Sequence, residues 1–148
     1  MRDVSGEEET GHLFFGSLDM RLMRNCPCPV WLVAPRPVVS FERVLVAIDP
    51  LPADENEQRL NRRIVDLAAS LADWERGTLY VVSAWQVHGE TLLVSKMSEN
   101  VFREHVDGIA ASGRSNLWDA LKTLPKRPSE RNVRFRNGNP ADVIKEYA

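Results

Sequence analysis

Arg43-Val44-Leu45-Val46-Ala47-Ile48-Asp49 is the stretch that decides the fold. Its apolar residues run without alternation, so both faces of the strand they predict are buried, as in a parallel sheet covered on two sides. Asp49-Pro50-Leu51-Pro52 stops that strand, because proline brings no amide to a ladder. Thr78-Leu79-Tyr80-Val81-Val82-Ser83-Ala84 predicts a second buried strand. Between the two, Glu57 to Asp73 carries Leu60, Ile64, Leu67, Ala68 and Leu71 at helical spacing. Asp54 and Glu55 precede it, where negative charge suits a helix N-terminus. Glu99 to Leu121 carries Phe102, Val106, Ile109, Gly113, Leu117 and Leu121 at the same spacing, with Gly113 as the weak point. Val133-Arg134-Phe135-Arg136 alternates, as a strand nearer a sheet edge does. Asn137-Gly138-Asn139 turns the chain, and Pro140 suits the first turn of a last helix through Val143, Ile144 and Ala148.

Upstream, residues 1–12 are polar and acidic and read as a loop. Ser17 is a candidate N-cap for a helix over Leu18 to Arg24, which must end before Pro27 or Pro29. Val30-Trp31-Leu32-Val33 reads as a short strand closed by Pro35 and Pro37, and residues 34–42 as a linker. Strands alternating with helices predict an α/β fold: a parallel sheet with helices on both faces and right-handed crossovers.

With 148 residues, 43% of them hydrophobic and 27% charged, the chain has the balance of one compact globular domain. A net charge of −2 leaves no broad basic field for a nucleic acid backbone. No apolar run approaches the ~20 residues that span a bilayer, and the N-terminus has no apolar signal core. Neither a nucleic acid nor a membrane is an expected partner. Cys26 and Cys28 are one residue apart, too close for an easy bridge, so reduced thiols in the cytoplasm are expected.

Several of these stretches resemble the universal stress protein family. Arg43 to Asp49 looks like its opening strand, and Asn137-Gly138-Asn139-Pro140-Ala141-Asp142-Val143-Ile144 like its glycine turn into the third helix. Gly16-Ser17, then Cys28-Pro29-Val30-Trp31-Leu32-Val33, resembles its closing segment. The Asp49-Pro50 turn and Ala84-Trp85 are similar to the second half of bacterial tandem members. The resemblance implies an adenine nucleotide alpha hydrolase-like sheet, incomplete or permuted. Residues 1–36 would be the end of one such domain and 37–148 most of a second, packed as one unit. A further strand, a glycine loop, a helix and a last strand would be expected after Ala148.

In family members that bind ATP, the ligand sits at the carboxyl ends of the strands, where α/β sheets place ligands. Their phosphate loop ends in two glycines nine residues apart, the second followed by Ser or Thr; Gly6 and Gly16-Ser17 keep that gap. By this resemblance Gly6, Gly16, Ser17, Leu18, Asp49 and Ala84 are the candidate nucleotide contacts, with ATP or AMP as the implied ligand. Asp3 stands where the first loop glycine belongs, and Glu7, Glu8 and Glu9 add negative charge that disfavours a polyphosphate. The alternatives are that Gly16-Ser17 simply starts a helix and that Asp49 caps the turn before Pro50.

Ala34 to Glu42 spans at most about 30 Å, and returning along a parallel strand of ~5 residues takes roughly 17 Å plus the turn. Docking of the N-terminal strand within the chain and its exchange between two chains both fit. An uncovered sheet edge drives pairing, so a homodimer is expected, with Val30, Trp31, Leu32 and Val33 at its interface. A catalytic reading finds no support: Ser17 lacks a nucleophile elbow, and His12, His88 and His105 are scattered. Cys26-Pro27-Cys28 lacks zinc spacing, so no metal is expected.

Overall fold

The computed structural model describes residues 17–28, 30–32, 41–87, 89 and 96–148. The chain divides between Val38 and Val39 into two compact units, each taken by itself.

In the longer unit the elements are β1 (Arg43–Ala47), α2 (Glu55–Trp74), β2 (Thr78–Trp85), α3 (Glu99–Leu121), a 3-10 turn (Glu130–Asn132), β3 (Val133–Asn137) and α4 (Pro140–Tyr147). The sheet runs β1-β2-β3 with both pairings parallel. Val46 lies opposite Val81, and Ser83 opposite Phe135.

Val46, Ile48 and Val81 join Val65 of α2 and Leu117, Ala120 and Leu121 of α3 in one buried cluster, with Phe135 packed against it. Full burial of each large apolar side chain contributes roughly 1.5–3 kcal/mol. Successive strand residues point to opposite faces, so Val82, Arg134 and Arg136 face the other way. There α4 covers them. Arg136 Nε donates to the Tyr147 hydroxyl at 3.0 Å, and the Arg134 guanidinium lies over the Tyr147 ring. Helices therefore cover both faces, as expected.

Two details depart from the helical pattern of the sequence. α2 buries Asn61, Val65 and Ala72, while Leu60 and Leu67 are exposed. The buried face is thus turned one residue from the expected stripe, toward the side that carries Asn61. α3 is continuous through Gly113, where a Cβ would come within 3.1 Å of the Phe135 ring and 3.3 Å of Pro50 Cβ. That glycine lets the helix approach β3 and the loop after β1.

In the shorter unit, α1 (Ser17–Asn25) forms where a helix was expected. Cys26 N donates to Leu22 O at 2.9 Å, and the helix ends before Pro27. Met20, Leu22 and Met23 are exposed. The strand expected at Val30-Trp31-Leu32-Val33 does not form over its described part. Val30, Trp31 and Leu32 belong to no strand, and Val33 lies outside the described residues. A strand exists only through a ladder with a neighbour, and among the described residues the ladders join β1, β2 and β3. Among the described residues, no helix is long and apolar enough to cross a membrane.

Candidate ligand site at the carboxyl ends of the strands

β1 leaves the sheet through a loop pinned from three sides. Ile48 N donates to Val82 O at 3.2 Å, and the buried Ser83 hydroxyl donates to Ile48 O at 3.0 Å. Asn61 of α2 closes a two-way bridge with the next residue: Asp49 N donates to Asn61 Oδ1 at 3.2 Å, and Asn61 Nδ2 donates to Asp49 O at 2.6 Å. Asn116 of α3 donates to Pro50 O at 3.0 Å. Asp49 itself is exposed, and its Oδ1 accepts from Leu51 N at 2.8 Å. Its carboxylate thus helps shape the turn before Pro50 while standing at the mouth of the sheet.

β2 ends alongside. Ala84 is half-buried, and the Trp85 ring stacks on Phe135 with centroids 5.9 Å apart. Gly138 N donates to Trp85 O at 2.9 Å, which ties the exit of β3 to that of β2. Gly138 has φ +154°, and a Cβ on it would press on Val143, so this turn needs glycine. Asn139 then caps α4, its Oδ1 accepting from Ala141 N at 2.9 Å. Asp49, the Ala84 backbone and the amino end of α4 therefore share one end of the sheet. That is where open α/β sheets bind ligands. Asp49 and Asp142, in the first turn of α4, bring negative charge to it.

No family model matches the chain. Curated relatives do. The universal stress protein E homolog of Haemophilus influenzae is 28% identical over 145 residues, 96% of this chain and 45% of that protein. The universal stress protein E of Salmonella typhi is 28% identical over 139 residues, 92% of this chain and 42% of that protein. That of Photorhabdus laumondii is 32% identical over 82 residues, 54% of this chain and 26% of that protein. The chain is similar to universal stress proteins over most of its length. It spans less than half the length of these universal stress proteins. A universal stress protein solved in complex with cAMP matches at 16% identity over 74% of this chain and 64% of that one, with a TM-score of 0.33.

Of the contacts that the family resemblance implies, Asp49, in the loop after β1, and Ala84, on β2, lie at the same end of the sheet. Gly6 and Gly16 lie outside the described residues. Ser17 and Leu18 open α1 in the other unit, and only their backbone is described. Three residues that hold the strand ends at this candidate site were not anticipated: Asn61, Ser83 and Asn116. Asn61 had a signal, a polar residue one turn before the buried Val65, and so did Ser83, a hydroxyl inside an apolar strand. Asn116 had none.

A separate hollow lies elsewhere. A cleft of about 820 Å³ opens at the amino-terminal end of β2, lined by Ser70, Asp73, Arg76, Thr78, Lys126 and Asn132 among others. The cleft is an open gap between the end of α2 and the loop after α3, away from the carboxyl ends of the strands. Among the described residues, no three His, Cys, Asp or Glu gather to hold a metal.

Proposed function

We propose that this chain is a non-catalytic stress-response module that works in the cytoplasm as a homodimer and takes a small ligand of low charge at the carboxyl end of its sheet. Stress response is supported by the likeness to universal stress proteins. The observation that carries the ligand reading is the two-way Asn61 bridge, which holds Asp49 at the exit of β1, at the carboxyl end of the sheet. A pinned backbone presenting one exposed carboxylate suits hydrogen bonding to hydroxyls, such as those of a ribose. With Asp49 and Asp142 at the mouth, each phosphate added to the ligand costs about 1 kcal/mol where a carboxylate lies ~4 Å away in water.

The non-catalytic reading is supported by the chemistry of that end. Its buried hydroxyl, Ser83, is spent on Ile48 O, whereas a nucleophile needs a base in reach. Dimerisation is supported by the apolar surface of Met20, Leu22 and Met23 on α1 and by the outer position of β1 in the sheet.

Calorimetric titration with adenosine, AMP and ATP tests the ligand reading, and light scattering on the eluting protein tests the dimer. Adenosine or AMP should bind more tightly than ATP, and Asp49→Ala should abolish the heat. ATP binding tighter than ~100 µM and unaffected by Asp49→Ala would overturn the reading in favour of a phosphate-centred, ATP-binding member. A monomeric mass at every concentration would end the dimer proposal.

A further inference from the structure

Cys26 and Cys28 sit just past α1, with their Sγ atoms 3.0 Å apart and in hydrogen-bond contact. Both are free thiols, Cys26 half-buried and Cys28 exposed. The backbone sets this geometry. Cys26 N still closes the last turn of α1 onto Leu22 O, and Pro27 fixes its own φ, so the chain folds back and brings the second sulfur over the first. We infer that Cys26 and Cys28 form a reversible dithiol–disulfide couple whose substrates are low-molecular-weight disulfides.

The hydrogen bond from Cys28 holds the Cys26 thiol below the usual range, and the same contact with Cys26 raises that of Cys28. Cys26 is therefore the attacking sulfur. Its thiolate attacks one sulfur of the substrate disulfide, breaks the S–S bond and releases one substrate thiolate, leaving a mixed disulfide on Cys26. Cys28 loses its proton to solvent and attacks Cys26 Sγ. A Cys26–Cys28 bond forms, and the second substrate thiolate leaves. The substrate disulfide is reduced to two thiols, and the two cysteines are oxidised. An external dithiol reverses the sequence. A ring this small and exposed belongs with labile, regulatory disulfides rather than structural ones. The couple is independent of the ligand site, so either stands if the other fails.

The test is incubation of the full chain with glutathione disulfide, read by intact-mass spectrometry and thiol counting. The wild-type chain should lose the mass of two hydrogen atoms, lose both titratable thiols, carry no glutathione, and recover both thiols with dithiothreitol. Cys28→Ser should stop at a glutathione adduct on Cys26, and Cys26→Ser should react more slowly than Cys28→Ser. Two outcomes overturn the inference. One is a wild-type chain that retains both thiols. The other is stable accumulation of glutathione adducts, or of cross-linked chains, without ring closure. Circular dichroism of both variants confirms that each retains its helices, so a missing reaction cannot be blamed on unfolding.

Discussion

Replacing Asn61 by alanine removes both arms of the bridge to Asp49. Asn61 is only 8% exposed, and its side chain donates at 2.6 Å and accepts at 3.2 Å. A net hydrogen bond is worth about 0.5–1.5 kcal/mol, so the pair contributes about 1–3 kcal/mol. Asp49 is exposed, so water reaches part of its orphaned backbone and the full desolvation penalty does not apply. The expected loss is about 2 kcal/mol. With a urea m-value of about 1–3 kcal/mol/M, the unfolding midpoint should fall by roughly 0.7–2 M. The same variant should lose adenosine or AMP binding, because Asp49 is no longer held against the ends of β1 and β2. A loss below about 0.5 kcal/mol with ligand binding intact would refute the reasoning, since the bridge would then carry neither stability nor site geometry.

The connection between α2 and β2 gives two opposed effects. In Gly77→Ala the new Cβ would meet Phe41 O, and it would lie 3.0 Å from Glu42 O, both backbone atoms that cannot move aside; thermal or urea unfolding should show a loss of about 3 kcal/mol. Arg76 is held at φ 54°, so Arg76→Gly should stabilise by about 1 kcal/mol in the same assay. Asp54 caps α2, accepting from Asn56 N at 2.8 Å and Glu57 N at 2.9 Å, and these bonds, the one from Glu57 foremost, hold its carboxyl below the usual range. Its contribution is thus complete above the unfolded value near pH 4 and fades as pH falls through the lower folded value. Asp54→Asn, which still caps the helix, should flatten the pH dependence of unfolding below about pH 4.

How much could be read beforehand depended on whether a residue's role is local. β1 and β2 were legible because strands covered on both faces are apolar at every position, which a linear pattern displays. Gly113 was legible as an oddity but not as a contact, since the Phe135 ring that demands it is 22 positions away in the chain. The face of α2 was misjudged because Leu60 and Leu67 satisfy helical spacing as well as Val65 does. What turns the helix toward Asn61 is the hydrogen bonding of the loop after β1. The strand expected at Val30 to Leu32 had the right composition, but composition does not supply a ladder partner. At the candidate site, Asp49 and Ala84 were nominated by family resemblance alone, whereas the groups that pin the strand ends act through backbone atoms of other elements and leave no motif.

Amide chemical shifts of the labelled full chain, recorded while adenosine or AMP is added, test the location of the site most directly. Shifts at Asp49, Ala84, Gly138 and Asn139 are expected, with the amino-terminal end of β2 unmoved. Shifts concentrated instead at Ser70, Arg76, Thr78 and Asn132 would place the ligand in the large cleft at the opposite end of the sheet and contradict the account.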